Sequence, residues 1–232
     1  MPLQLEVNEV FSSVAPRYDL MNDLMSFGLH RLWKQELCGK VIRRDGALLD
    51  VAGGTGDIAM RALTRRSGLH VTVCDINPDM LEVGRDRAIN SGHTNINWVC
   101  ASAESLPFTH NSFDYYTIAF GMRNIPDRKK ALQEAHRVLK LHGRFLCLEF
   151  SPIQRQGLFR TLYGLYSDYV IPNMGRFVAG NVEAYTYLTD SIRAFPAPEE
   201  FAQEIASAGF FNVAYQNICN GVTSLYSAWK VD

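Results

Sequence analysis

Between residues 47 and 150 short apolar runs alternate with stretches whose apolar positions recur every three to four residues. That alternation is the signature of strand–helix–strand units and a parallel sheet. The apolar runs predict strands over 47–51, 70–75, 95–100, 113–120 and 143–150, and the periodic stretches predict helices over 57–66, 79–89 and 127–139. Met80, Leu81 and Val83 mark the second helix, with Gly84 as its weak point. Ala131, Leu132, Ala135, Val138 and Leu139 mark the third, which His142-Gly143 should stop. The expected fold is α/β: a doubly wound, mostly parallel sheet.

Outside this core the pattern changes twice. Residues 1–45 read as helices laid over the sheet, with Tyr18, Met21, Leu24, Phe27 and Trp33 at apolar positions. Residues 151–197 lose periodicity and gain aromatics, among them Phe159, Tyr163, Tyr166, Tyr187 and Phe195. A segment this long between sheet elements is usually functional. Residues 198–208 predict a helix ending at Gly209, and 213–215 with 222–229 predict two closing strands. The expected organisation is one domain, 1–232, with helical cover (1–45), a cofactor-binding core (46–150), a substrate-side insert (151–197) and a closing helix and strands (198–232).

The first predicted strand runs into Asp50-Val-Ala-Gly-Gly-Thr-Gly-Asp57 and then into a helix. Strand, glycine turn, helix is how open α/β sheets bind nucleotide-like cofactors at the carboxyl ends of their strands. Gly54-Thr-Gly-Asp-Ile-Ala59 also fits the dinucleotide pattern G-x-G-x-x-A, a weak signal by itself. Asp75, about 20 residues on at the end of the second strand, would accept from ribose hydroxyls with either cofactor. The loop's charges separate the two: Asp50 and Asp57 would both face a docked pyrophosphate. S-adenosylmethionine has no phosphate and carries a sulfonium and an α-ammonium, so its charge suits a loop with acids on both sides. Gly53, Gly54, Thr55 and Gly56 form its turn. Ser102-Ala103-Glu104, after the third strand, would lie along the adenine edge. Asp114 is expected to be structural.

Composition narrows the classes. A formal charge of -1 gives no electrostatic case for a nucleic-acid partner. Five cysteines without CxxC spacing read as free thiols in a reducing compartment, and six scattered histidines give no metal-site spacing, so no metal is expected. The start, MPLQLEVNEVF, has acids where a signal or transit sequence would have Lys or Arg, and no run approaches a spanning helix of roughly 18 apolar residues. The expectation is a soluble, cytoplasmic protein.

Three stretches, Asp50 to Asp57, Ala103-Glu-Ser-Leu-Pro-Phe108 and Phe120-Gly-Met-Arg-Asn124, together resemble the UbiE-type family, the C-methyltransferases of ubiquinone and menaquinone biosynthesis. Val10-Phe-Ser-Ser-Val-Ala15, 17–28, His30-Arg-Leu-Trp-Lys34 and Tyr187-Leu-Thr-Asp-Ser-Ile-Arg193 extend the similarity from about Val10 to Trp229. The chain begins close to the Val-Phe motif, without the longer leader of many relatives. The resemblance implies a Rossmann-like class I S-adenosylmethionine-dependent methyltransferase, with Thr55, Asp75, Ser102, Ala103 and Ala119 at the cofactor. The family often has Asn at the position of Ser102 and Ser at that of Ala119. It further implies a prenylated quinol as substrate, peripheral contact with the inner face of a membrane to reach it, and a homodimer or quinone-synthesis complex as the assemblies to consider.

Methyl transfer to a ring carbon is helped by ionising a ring hydroxyl, so the site needs a base or a cation that favours the phenolate. Arg123, after the fourth strand, is the candidate cation, Asn124 the candidate holder of a substrate oxygen, and Tyr18 with Asp19 weaker candidates for the substrate wall. His30 is expected to be structural. The insert's tyrosines are read equally as a tunnel for a polyprenyl tail or as core. Rival functions are a methyltransferase for another small acceptor, a dinucleotide-dependent oxidoreductase and a non-catalytic cofactor-binding subunit. Base methylation is disfavoured because Phe-Gly-Met-Arg-Asn stands where Asn/Asp-Pro-Pro-Tyr is usual.

Overall fold

The last four residues of the first strand, Leu48 to Val51, are buried on both faces because helices cover both sides of a parallel sheet. The structure is a computed structural model that describes residues 23, 26, 28–41, 44–152 and 182–231, with backbone alone at 41, 182–186 and 188. Tyr18, Asp19 and the insert aromatics from Phe159 to Phe177 lie outside the described residues. In chain order the elements are α1 (His30–Val41), β1 (Ala47–Val51), α2 (Asp57–Arg65), β2 (His70–Asp75), α3 (Pro78–Asn90), β3 (Ile96–Cys100), β4 (Phe113–Ala119), α4 (Arg128–Val138), β5 (Leu139–Phe150), α5 (Val182–Ala194), α6 (Pro198–Ser207), β6 (Phe211–Ile218) and β7 (Thr223–Trp229).

All seven strands form one sheet in the order β3-β2-β1-β4-β5-β7-β6. β1 to β5 pair in parallel, and β7 runs antiparallel between β5 and β6. On one face Leu48, Val71 and Val73 pack with Trp33 and Leu37 of α1, Ile58 and Leu63 of α2 and Leu81 of α3. On the other, Leu49, Val51 and Tyr116 pack with Leu132 and Ala135 of α4 and Phe201 and Ile205 of α6. The strand order reverses between β1 and β4, so the loops leaving them diverge and open a crevice at the carboxyl ends.

Two glycines owe their identity to one tryptophan. A Cβ on Gly84 would come within 2.7 Å of the Trp98 ring and 2.9 Å of the Thr55 carbonyl carbon, and one on Gly56, whose φ is +74°, within 2.6 Å of the same ring. Trp98 of β3 thus wedges between α3 and the glycine turn, and the weak helix position is where the helix comes closest to that turn.

Two expectations need correction. The third helix ends at Val138 rather than at His142-Gly143: Leu139 is already extended, and the buried Lys230 ammonium takes the His136 and Leu139 carbonyls. His142, at φ +62°, then bends the early part of β5. Secondly, the aperiodic insert ends in a helix, α5. Its Tyr- and Thr-rich sequence has modest helix propensity, and contacts distant in sequence support it: Thr189 is buried and the Tyr187 hydroxyl reaches Asn124.

Gly84→Ala should therefore destabilise the fold by about 1–3 kcal/mol through overpacking, although alanine is the better helix former. Urea unfolding measures this, and equal or greater stability in the variant would contradict the wedge.

Candidate active site

The crevice owes its shape to two residues that leave their strands in a left-handed conformation. Ala52 follows β1 with φ +51° and Phe120 follows β4 with φ +59°. Side chains other than glycine adopt this region at a cost, and such positions cluster at functional sites. A Cβ on the next residue, Gly121, would lie 2.4 Å from the Ala52 Cβ, so glycine is what lets the two loops cross.

At one end of the crevice the second-strand acid organises the glycine turn. The Gly54 amide donates to Asp75 Oδ2 at 2.8 Å, and the Asn77 amide to Asp75 Oδ1 at 2.9 Å. Asn77 in turn caps α3, its Oδ1 accepting from the amides of Asp79 and Met80 ahead of the helical register. Burial raises the Asp75 carboxyl above the usual carboxylate range, while the amide donors pull it back. Ser102, Ala103 and Glu104 line the same end. The Ser102 hydroxyl is used locally, accepting from the Glu104 amide at 3.2 Å and donating to the Glu104 carboxylate at 3.3 Å. Gly53, Gly54, Thr55 and Ala119 also line the crevice; Gly56 lies beneath it, against Trp98.

At the other end sits Asp50, 1% exposed. The β1–β4 register sets Thr117 beside it, and the Thr117 hydroxyl donates to Asp50 Oδ1 at 2.8 Å. Asp50 Oδ2 has no hydrogen-bond partner among the described residues. Burial pushes this carboxyl up to about 7, against the opposing pulls of Thr117 and Lys34. Asp57 differs. Burial pushes it up as well, but Lys34 Nζ at 2.9 Å from Oδ2 and Arg61 Nε at 2.7 Å from Oδ1 outweigh that and hold it down at about 2. Of the two loop acids, Asp57 is compensated by the protein and Asp50 is not.

Beyond Phe120 the chain makes a short 3-10 turn, Met122–Asn124. Arg123 is buried against Glu149 of β5: Nη1 lies 2.8 Å from Glu149 Oε1 and 2.5 Å from the Phe120 carbonyl oxygen. Its Nε has no partner among the described residues. Asn124 lines the crevice, and its Oδ1 accepts from the Tyr187 hydroxyl at 3.0 Å. Arg123 and Asn124 are thus brought together with Glu149 and Tyr187, with Asn124 on the crevice wall and Arg123 behind it. Phe195 belongs to the core, 4.9 Å from the Phe201 ring. His30 Nε2 meets Asp23 at 2.8 Å, and Asp114 accepts from the Ala47 amide and from Lys140, both at a distance from the crevice lining.

The model of the ubiE/COQ5 methyltransferase family matches residues 3–230. The chain belongs to this family. A Bradyrhizobium sp. (strain BTAi1) protein named ubiquinone/menaquinone biosynthesis C-methyltransferase is 53% identical over 98% of this chain and 92% of its own length. Among solved structures, the [4+2]-cyclase SpnF aligns with TM-score 0.74 at 15% identity, covering 99% of this chain and 97% of that one. A Thermotoga maritima S-adenosylmethionine-dependent methyltransferase aligns with TM-score 0.66 at 16% identity, covering 96% and 98%. These two likenesses establish the class I methyltransferase fold, which by itself does not fix a reaction.

The family's cofactor is S-adenosylmethionine, and the crevice lining fits it: an acid at the end of the second strand that could take ribose hydroxyls, small residues after the third that could lie along an adenine, and on Asp50 a carboxylate oxygen with no hydrogen-bond partner among the described residues. The residues that could hold it are Asp50, the Gly53–Thr55 turn, Asp75, Ser102, Ala103 and Ala119. Sequence reasoning missed Thr117, Glu149 and Tyr187 as partners of predicted residues. Only the strand register could have found Thr117, no local signal marks Glu149, and Tyr187 stood out only as an insert aromatic at the head of the late family-similar stretch, not as a partner of Asn124.

Two outcomes are expected. Asp75→Ala should weaken S-adenosylmethionine binding by about 1.5–3 kcal/mol, the worth of hydrogen bonds to a charged group; unchanged affinity by calorimetry in a folded variant would contradict the ribose assignment. For Asp50, a folded-state pKa near 7 above the ordinary 3.8 means that stability is lost as pH rises through that window. Asp50→Asn should therefore raise unfolding free energy at pH 8 by about 1–2 kcal/mol, with little change at pH 4, while weakening cofactor binding. A variant less stable than wild type at pH 8 would show that the carboxylate is not a strained group.

Proposed function

We infer that the chain is an S-adenosylmethionine-dependent C-methyltransferase that methylates a ring carbon of a prenylated quinol in ubiquinone or menaquinone biosynthesis. The observation that carries this is the family match over residues 3–230, which takes in both flanks as well as the cofactor core. The acceptor's prenyl tail places it in a bilayer. Peripheral contact with that bilayer is the proposed route to the acceptor; among the described residues no helix is long and apolar enough to cross a membrane.

When bound, the cofactor supplies a methyl group already activated on a sulfonium. The protein's part is to align the acceptor carbon with it and to favour the ionised ring hydroxyl. Because the Asn124 Oδ1 is engaged by Tyr187, its amide N–H₂ is left to donate to a ring oxygen. Arg123, with Nε unpaired, lends positive charge to the same wall, moderated by Glu149. Tyr18 is retained from the resemblance as a residue of the acceptor wall.

Methyl transfer measured in parallel on demethylmenaquinol and on a prenylated methoxy-benzoquinol tests the function. Methylation of at least one is expected; no product from either, with S-adenosylhomocysteine binding intact, would overturn the acceptor class. Removing one partner of a buried ion pair is strongly destabilising, so Arg123 is best tested against a neutralised partner. Relative to the wild-type protein, Arg123→Met/Glu149→Gln, which removes both charges of the pair, should lower kcat on the order of a hundredfold, about 3 kcal/mol, with cofactor affinity within about twofold. Part of that loss should return as pH rises and the phenol ionises unaided. Equal kcat in the double variant and the wild-type protein would make Arg123 purely structural.

A further inference from the structure

The chain's formal charge is -1, yet one of its faces concentrates positive charge. A groove of about 560 Å³ lies among α1, α2 and α3, lined by Gln35, Arg61, Arg65, Arg87, Ser91 and His93. The spacing is helical: Asp57, Arg61 and Arg65 follow one another along one side of α2, and Arg87 stands one turn before Ser91, the residue that caps α3. Among the described residues Asp57 is the one acid in the lining, and Lys34 at 2.9 Å and Arg61 at 2.7 Å already take its charge. Arg65 reaches across to α1, where a Cβ on Gly39 would stand 3.5 Å from its Nη2, and makes no ion pair among the described residues. The guanidiniums are therefore in excess over the carboxylate. Like charges gathered in this way repel one another until an anion lies between them.

The anion that fits is a phosphate, because the planar fork of each guanidinium matches two of its oxygens, and Ser91 and Gln35 add neutral donors. What lies beside the groove narrows the source. Leu32 stands three residues before Gln35 on the outer side of α1 and is 61% exposed, and Leu29, just ahead of the helix, is 38% exposed. Basic groups next to exposed leucines are what a protein lying on a bilayer presents to the headgroup region. Asp57 lines both this groove and the crevice, so the two share a wall. On the reading that the acceptor is carried in a bilayer, we propose that the groove binds the phosphate of an anionic phospholipid, with Leu32 entering the headgroup region beside it. The face formed by α1, α2 and α3 is then the one turned to the membrane. A free phosphate shares the groove's chemistry but gives the leucines nothing to do.

Vesicle binding, read by co-sedimentation with no acceptor present, tests this. The wild-type protein should bind vesicles of equal parts phosphatidylglycerol and phosphatidylcholine in preference to pure phosphatidylcholine. Arg65→Gln/Arg87→Gln should weaken binding to the mixed vesicles about 10- to 30-fold, with the Kd for S-adenosylhomocysteine changed less than about twofold. If that variant does not fold, Arg65→Gln alone should show a loss of about fivefold. Lys129→Gln/Lys130→Gln removes the same charge from α4, on the other side of the sheet, and should cost less than about twofold. Leu32→Ser should weaken binding as well, and inorganic phosphate should displace the protein no better than chloride at equal ionic strength. Equal losses from the two charge pairs, or no preference of the wild-type protein for the mixed vesicles, would overturn the lipid site. So would calorimetric binding of inorganic phosphate that depends on Arg65 and Arg87 in a protein that ignores vesicles. Methyl transfer to a short-tailed quinol in solution keeps the two readings apart: product without vesicle binding overturns the groove alone, and vesicle binding without product overturns the acceptor class alone.

Discussion

A carboxylate held by Thr117 on one side and by none of the described residues on the other, near the end of β1, is the constraint around which this fold is arranged. Asp50 is fixed by the β1–β4 register, cannot turn to solvent, and faces a crevice that exists because Ala52 and Phe120 leave their strands in a left-handed bend. A buried ion of this kind is unfavourable until a cation arrives. Its neighbours are arranged to leave that cation a place: the second loop acid, Asp57, is already neutralised by Lys34 and Arg61, and Asp75 is occupied with the Gly54 and Asn77 amides.

The wall proposed for the acceptor uses charge differently. Arg123 and Glu149 form a buried pair beneath the wall, and what reaches the crevice is the neutral Asn124–Tyr187 contact. A full charge on the wall would be solvated or paired away; a guanidinium placed behind an amide keeps a positive potential there without demanding an ion from the substrate. On the proposed function the two halves divide the work, with ionic recognition for the methyl donor and polarised neutral groups for an acceptor that is mostly apolar.

Much of this arrangement was visible in the sequence, and the exceptions have a common cause. β1 and β2 fall on the predicted 47–51 and 70–75 because buried parallel strands write themselves as short, mostly apolar runs, here with an acid at or next to the last position. The glycine turn, Asp75 and Ser102-Ala103 were legible for the same reason: their roles follow from backbone conformation over a few residues. Asp57 read only as a loop acid because its partner Lys34 lies 23 residues away, and Arg123 only as a candidate site cation, without its counter-ion, because Glu149 lies 26 residues away. α5 was hidden because contacts with a distant wall support it more than its own propensity does. Pairing across the sheet is set by topology and leaves no periodic trace.

The central claim is that Asp50 is largely protonated in the empty crevice near pH 6.5 and ionises when the cationic cofactor binds. Calorimetry of S-adenosylmethionine binding at pH 6.5, in buffers of different ionisation enthalpy, reads this as protons released. The account predicts release of between about a half and one proton per cofactor, abolished in Asp50→Asn. No release from the wild-type protein, or the same release from the Asn variant, would contradict it.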